Sequence, residues 1–321
     1  MWQMINYEAC GRGHYTSNTP CQDKTMSENN NGTYCIALAD GAGSAKLSHY
    51  GAEEVVNSTV EYLTKNFDKV ITSPDGVLVK QEIITYIIEN LKEKSMECEC
   101  ELKDLASTLL FVAIKDNNFV IGHIGDGIIG YLRNDNILVA SKPDNGEYIN
   151  STYFITGSKA IQNMKLLKGE IKDIDGFVLM SDGSAESFYI KREGKLSSTT
   201  KKLIKWTSVL DQEKIHGLIK DSFDNLVIKN TTDDCSIAII AKKSHENRLE
   251  LLTESERMDL LGINFSNERK RKKAFIRYET IIYQWEKNKS IKQIAKNIHL
   301  NPNYTRRRIN KLVKIGLIKN R

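Results

Sequence analysis

A strand that ends on an acid sets the terms for this chain. "TYCIALADGAGS" (33–44) is an apolar run that closes on one carboxylate, Asp40, and passes at once into Gly41 and Gly43. "GFVLMSDG" (176–183) repeats the pattern around Asp182, and "DDCSIAII" (233–240) starts a third apolar run from Asp233 and Asp234. Asp126 lies between two more apolar stretches in Gly125-Asp126-Gly127, and Asp23 closes "PCQD". Short apolar runs of this kind read as buried strands. Carboxylates converging at their ends would repel one another. Two readings follow. Asp-Gly is ordinary turn chemistry. Alternatively, the acids gather hard cations, because Mg²⁺ and Mn²⁺ favour oxygen ligands and glycine lets the backbone come close. Spacing alone leaves both open.

The rest of the chain supplies a scaffold. "WQMINYEAC" reads as a first strand, and "GRGHYTSNTPCQDKTMSENNNG" as a polar, turn-rich loop before the strand that ends on Asp40. Helical spacing marks 47–67 and 77–96. Four short strands follow: "STLLFVAIK", "NFVIGHIGD", "GIIGYLRN" and "NILVAS", with Asp-Asn-Asn and Asn-Asp-Asn as turn signals between them. One helical stretch is expected from about 199 to 228. His123, in an apolar strand, reads as a packed core histidine. No run approaches the roughly 18–20 apolar residues that span a membrane. "MWQMINYEAC" has no basic segment followed by an apolar one, so no leader is expected. The six cysteines form no CxxC pair, which suits reduced thiols and a cytoplasmic location.

The acid motifs, taken in order, resemble the metal-dependent protein phosphatases of the PP2C (PPM) type, in a bacterial branch. The matching stretches are "GRGHYTSNTPCQD", "ALADGAGS", "STLLFVAI" with "VIGHIGDGIIGYL", "VLMSDGSAE" and "DDCSIAII", across residues 1–243. The resemblance implies an α+β fold in which two antiparallel sheets pack face to face between layers of helices. It implies two Mg²⁺ or Mn²⁺ ions, with a third possible. Asp40 would bridge the pair, the Gly41 carbonyl would add a ligand, and Asp182 and Asp233 would complete the site. Asp23 would hold metal-bound water, and Asp126 would serve the third ion. Asp234 stands where the family often has Asn and ranks below Asp233. The implied reaction is in-line hydrolysis of a phosphoserine or phosphothreonine, reversing a cognate Ser/Thr kinase. Asn18 stands where many relatives carry a phosphate-holding Arg, and Arg12 and His14 are the candidates to replace it. Ala42 stands where some relatives have a His, and Gln22 replaces a common Glu. These departures keep two alternatives in view: a weak or inactive phosphatase-fold regulator that binds phosphoprotein and DNA, and a hydrolase of a small phosphorylated molecule.

Charge divides the chain. Residues 265–321 carry 17 Lys and Arg against 3 Asp and Glu, whereas the remainder carries 29 against 38. A dense cationic module implies a polyanionic partner. Within it, Ser290 is a good N-cap for an amphipathic stretch, "HLNPN" interrupts it, and Pro302 suits the first turn of a second helix. This resembles a helix-turn-helix of the winged type, with 273–287 as its first helix. Asn303, Tyr304, Thr305, Arg306, Arg307, Arg308, Asn310 and Lys311 are its candidate DNA-contacting residues. Little chain follows "GLI", so a full β-wing is not expected, and a protein-docking role for the module stays open. The expected organisation is a phosphatase-like domain over 1–243, a charged linker with one possible helix over 244–266, and a basic all-α module over 267–321. A homodimer would suit paired DNA half-sites, and no membrane contact is expected.

Overall fold

The computed structural model describes residues 1–144, 152–243, 252–315 and 317–318. Its elements in chain order are β1 (Trp2–Ala9), α1 (Arg12–Ser17), β2 (Lys24–Asn30), β3 (Thr33–Ala39), α2 (Ser48–Thr72) and α3 (Gly76–Glu97). Then come β4 (Leu109–Lys115), β5 (Asn118–Ile124), β6 (Ile128–Arg133), β7 (Asn136–Ser141), α4 (Ala160–Asn163), β8 (Lys165–Glu170) and β9 (Ile174–Met180). The body ends with α5 (Asp182–Phe188), β10 (Tyr189–Ile190), β11 (Lys195–Leu196), α6 (Ser198–Val209), α7 (Gln212–Asn225) and β12 (Cys235–Lys242). After it lie α8 (Glu254–Leu260), α9 (Glu268–Glu286), α10 (Ile291–Asn297) and α11 (Pro302–Lys314).

Two five-stranded antiparallel sheets form the body, in the orders β1-β12-β9-β6-β7 and β2-β3-β4-β5-β8. Their inner faces meet through Ile36, Leu38, Leu110 and Val112 on one side and Phe177, Leu179, Ala238 and Ile240 on the other. The alternate residues of the same strands face outward. Cys35, Ala37, Phe111 and Ala113 lie under α2 and α3, and Val178, Met180, Ile237 and Ile239 lie under α6 and α7. Strands apolar on both faces are what a sheet covered on both sides requires. The expected sandwich of two antiparallel sheets between helices is therefore the observed one, together with an all-helical C-terminal module.

Three local expectations change. The polar loop before β3 contains a short helix, α1, and a strand, β2. β2 is half-exposed along most of its length and pairs only with β3, so it never needed an apolar pattern. The edge strand β8 escaped for the same reason. The single helix expected over 199–228 is two, broken at Leu210 and Asp211.

The C-terminal module is seated on the body. Leu252 just ahead of α8, Met258 and Leu260 on it, and Leu261 and Ile263 in the turn after it join one apolar cluster. That cluster runs from Leu203 and Ile215 of the body to Ile281, Ile294, Ile309 and Leu312 of the module. Ion pairs flank it: Lys202 to Asp259 at 2.7 Å and Arg257 to Glu279 at 3.1 Å. The segment read from composition as a charged linker thus holds a packed helix over Glu254–Leu260. Residues 244–251 lie outside the described residues.

Candidate active site and nucleic-acid interface

The ends of β3, β5, β9 and β12 deliver the acids to one place. A cavity of about 260 Å³ is lined by Asp40, Gly41, Asp126, Asp182 and Asp233, with His14, Gln22, Thr108, Thr152 and Phe154 among its other walls. Asp40 follows the last residue of β3. Its N–H donates to the Thr108 hydroxyl at 2.9 Å, and its carbonyl accepts from Thr108 N–H at 2.8 Å. Gly41 N–H donates to the Gln22 carbonyl at 3.2 Å. Asp182 opens α5 and accepts from Gly183 N–H at 2.6 Å. Asp126 accepts from the Thr152 hydroxyl at 2.6 Å. The turn carrying Asp126 is braced by His123, which is buried between the Ser141 hydroxyl (2.6 Å) and the Gly125 carbonyl (2.9 Å). A carbonyl only accepts, so Nε2 carries the proton and Nδ1 accepts from Ser141. Burial pushes this imidazole down to about 4, and it stays neutral as a core histidine.

The acids load one another with unfavourable charge. Burial, then the charges of Asp23, Asp182, Asp126 and Asp233, hold the Asp40 carboxyl well above the usual carboxylate range. Burial and the charges of Asp126 and Asp233 push Asp182 up to about 6. Asp23 sits deeper and is only 1 % exposed. Burial first, then Asp234 and Asp182, push it to about 8 against the opposing hydroxyls of Ser181 and Ser236. Its Oδ2 is buried without a hydrogen-bond partner among the described residues. No three Asp, Glu, His or Cys side chains among the described residues are already drawn together as a metal cluster. The acids ring a cavity instead, where each added positive charge would relieve their mutual repulsion. Carboxylates, a backbone segment at Gly41 and an orphaned buried carboxylate oxygen are a donor set that fits hard divalent cations.

Two expected site residues are placed elsewhere. Asp234 does not line the cavity. Its Oδ1 accepts from Gly11 N–H at 2.6 Å, and its Oδ2 accepts from Gln22 N–H at 2.6 Å and meets His14 Nδ1 at 2.9 Å. With three partners on a carboxylate 2 % exposed, it braces the 11–22 segment and stands outside the cavity lining. Arg12 turns its Nε to the Thr231 carbonyl at 3.1 Å and is absent from the cavity wall, whereas His14 lines it. The segment carrying His14 approaches closely because Gly11 has no side chain: a Cβ there would lie 2.3 Å from the Asp233 carbonyl. The sequence reading missed Thr108, Thr152, Ser181 and Ser236. Thr108 stands just before the strand "LLFVAIK" as its one visible signal, and no pattern marks the others.

In the module, the expected cap at Ser290 and the helix start at Pro302 are present, and Asn301 adds a cap that the sequence reading did not name. Ser290 and Gln293 form a capping box, and Asn301 caps α11 with Pro302 in its first turn. Asn303, Tyr304, Arg306, Arg307 and Asn310 are exposed on α11. Three of its expected DNA contacts have partners within the protein, although only Thr305 is buried and Lys311 is exposed. Thr305 is fully buried, with its hydroxyl on the Asn301 carbonyl at 3.1 Å. The Arg308 guanidinium lies between the rings of Tyr278 (4.5 Å) and Tyr304 (4.7 Å), and Lys311 donates to the Leu261 carbonyl at 2.5 Å. The aromatic ring of α9 and the carbonyl at the end of α8 claim these cations.

Comparison with known proteins agrees with this architecture. The family model for protein phosphatase 2C matches residues 10–222, and a winged helix-turn-helix DNA-binding model matches residues 281–319. Serine/threonine-protein phosphatase 3 of Escherichia coli (strain K12) is 25 % identical over 169 residues, covering 51 % of this chain and 66 % of that protein. Among solved structures, the serine/threonine phosphatase Stp1 from Staphylococcus aureus aligns with a TM-score of 0.54 at 13 % identity, over 76 % of this chain and 96 % of that one. A bacterial serine phosphatase aligns with a TM-score of 0.55 at 16 % identity, over 77 % of this chain and 100 % of that one. The catalytic domain of the phosphatase PstP, in complex with 2 manganese ions, aligns with a TM-score of 0.50 at 17 % identity, over 76 % and 100 %. These structural likenesses speak for the fold, and the family match spans most of the body that carries the acid-lined cavity. By that match the chain belongs to the protein phosphatase 2C family and carries a winged helix-turn-helix module after its phosphatase fold.

Proposed function

We propose that this protein is a metal-dependent phosphatase that hydrolyses phosphoserine and phosphothreonine in proteins, in the cytoplasm and in opposition to a Ser/Thr kinase. The observation that carries the reading is the convergence of Asp40, Asp126, Asp182 and Asp233 on one cavity in which each carboxylate raises the cost of its neighbours' charge. Asp40, the Gly41 carbonyl, Asp182 and Asp233 would hold two Mg²⁺ or Mn²⁺ ions, with Asp126 at a third and Asp23 behind them. Bound there, such ions supply Lewis acidity toward the phosphoryl oxygens and the attacking water. The chain's own contribution is placement. Thr108 clamps Asp40 through two hydrogen bonds, Thr152 holds Asp126, and Gln22 fixes the Gly41 backbone. His14 is the lining side chain suited to face the substrate's phosphoryl group, and Arg12 is left to brace the loop that carries it. The test is phosphate release from a phosphothreonine peptide with Mn²⁺ or with EDTA, for wild type and Asp40→Asn. Metal-dependent turnover that the substitution abolishes is expected. No turnover at any metal concentration would favour a regulator that binds phosphoprotein, and turnover of small phosphate esters alone would favour a metabolite hydrolase.

We further propose that the module binds duplex DNA through Asn303, Tyr304, Arg306, Arg307 and Asn310, and does so as a homodimer on paired half-sites. The exposure of these residues on one cationic helix supports this reading. Binding that weakens steeply with salt is expected of it, and salt-insensitive binding would point to a protein partner instead.

A further inference from the structure

Residues 11–22 lie along the turn 231–234 as if zipped to it. Gly13 N–H donates to the Thr232 carbonyl at 2.8 Å, Arg12 Nε to the Thr231 carbonyl at 3.1 Å, and Gly11 and Gln22 N–H to the two oxygens of Asp234 at 2.6 Å each. His14 Nδ1 is the third partner of that carboxylate, at 2.9 Å. A carboxylate offers lone pairs only, so Nδ1 is the donor and carries a proton whether the ring is neutral or charged. With Nδ1 taken up by Asp234, which is not among the cavity's lining residues, Nε2 is the ring nitrogen left over for the cavity that His14 lines. The rest of the lining consists of carboxylates, an amide, hydroxyls, backbone and apolar groups. Among the described lining residues, His14 is the one imidazole, the side-chain type most often used as a general acid, and its Nδ1 is already engaged by a carboxylate.

We propose that His14 is a catalytic residue that protonates the departing Ser or Thr oxygen from Nε2, and that Asp234 is the positioning residue that orients its ring. The proposal rests on the phosphatase reading above. In the step, an oxygen–phosphorus bond forms to the attacking water while the bond from phosphorus to the Ser or Thr oxygen breaks. The Nε2 proton passes to that oxygen, which leaves as a hydroxyl. The ring is left neutral with its remaining proton on Nδ1 against Asp234. Solvent takes the proton shed by the attacking water and returns one to Nε2. The Asp234 carboxylate balances the imidazolium before the step and holds the ring's edge toward the cavity throughout, as a buried Asp does for His in hydrolytic triads.

The leaving group provides the test. An alkoxide needs a proton to depart, whereas a nitrophenolate is a stable anion. With Mn²⁺ present, His14→Ala and His14→Gln are expected to lower kcat on a phosphothreonine peptide by on the order of 10²-fold or more. Hydrolysis of 4-nitrophenyl phosphate is expected to change at most a few-fold. Asp234→Asn is expected to give the same skew between the two esters. Ring ¹⁵N spectra of the wild type, which need no variant to fold, are expected to show His14 protonated on Nδ1. Equal losses on both esters, or a neutral His14 ring protonated on Nε2, would overturn the assignment while leaving the phosphatase intact. Failure of the wild type to hydrolyse either ester would overturn the phosphatase reading and this role with it.

Discussion

The acid-lined cavity of the body and the basic helix of the module treat charge in opposite ways. In the cavity, four carboxylates share one space, the charges of the others raise the cost of Asp40's, and no Lys or Arg is among the described lining residues. On α11, two of the strongest cations are answered from within: Arg308 by two tyrosine rings and Lys311 by a carbonyl. Uncompensated charge marks where a partner is missing, whereas compensated charge marks structure, however functional the residue type looks. The cavity's carboxylates are therefore an arrangement that a cation would relieve, and on the helix only the exposed side chains are left to meet a partner.

The largest expected effect breaks the cavity's side of this contrast. Asp40→Asn is expected to lower kcat/KM with Mn²⁺ by at least about 10²–10³-fold, the scale seen when one preorganised charge-stabilising group is removed. The same substitution is expected to raise the melting temperature of the EDTA-treated protein, because it deletes a buried charge that its neighbours oppose. A variant both inactive and less stable without metal would mean that Asp40 is held by attraction, and the contrast would fail.

The pH dependence of the metal-free protein sharpens the same point. A carboxylate ionises near pH 3.9 in the unfolded chain, but Asp182 and Asp23 are pushed to about 6 and about 8 in the fold. The folded state then holds more protons than the unfolded one, so stability falls as pH rises. Chemical denaturation with EDTA is expected to show a loss between pH 5 and 8 on the order of 5 kcal/mol. Saturating Mn²⁺ is expected to cancel that loss or reverse its sign. A metal-free protein whose stability climbs over that range would contradict the electrostatics drawn here.

How much of this the sequence could tell follows from the same distinction. The acids at strand ends were legible because strand and acid lie side by side in the chain: Asp40, Asp126, Asp182 and Asp233 all reach the cavity. The amphipathic helices, the cap at Ser290 and the helix start at Pro302 were legible for the same local reason. What failed depends on partners distant in sequence. Asp234 looked like a second ligand beside Asp233, yet its role is set by Gly11, His14 and Gln22, more than 200 residues away. Arg308 looked like a base-reading residue, yet Tyr278 on another helix decides its fate. β2 and β8 were hidden because edge strands of half-exposed residues carry no hydrophobic alternation.

A backbone contact tests the brace that the sequence concealed. Gly11→Ala would place a Cβ 2.3 Å from the Asp233 carbonyl, and neither backbone can yield easily. A loss of about 1–3 kcal/mol in unfolding free energy is expected, with a fall in activity because the segment bearing His14 lifts off the turn. Gly76→Ala, at a position where a Cβ meets nothing within 4 Å, serves as the control and should leave activity unchanged. Equal behaviour of the two would mean that the close approach of Gly11 to Asp233 matters little.

The smallest effects separate the two kinds of arginine on α11. Arg308 is sandwiched between Tyr278 and Tyr304, and its Nε and Nη1 are buried without hydrogen-bond partners among the described residues. A guanidinium so placed gains from both ring faces, about 0.5–2 kcal/mol. Arg308→Ala is therefore expected to destabilise the protein by about 1 kcal/mol, read by denaturant midpoint. Arg306 and Arg307 are exposed, so alanine at either should change stability by less than about 0.5 kcal/mol. Their loss should appear in DNA binding instead, each flattening the plot of log K against log salt by about one unit. If Arg308→Ala were silent in stability and flattened that slope as Arg306→Ala does, the ring-held guanidinium would be reading DNA after all. The rule that compensated charge marks structure would then fail on the helix where it is easiest to check.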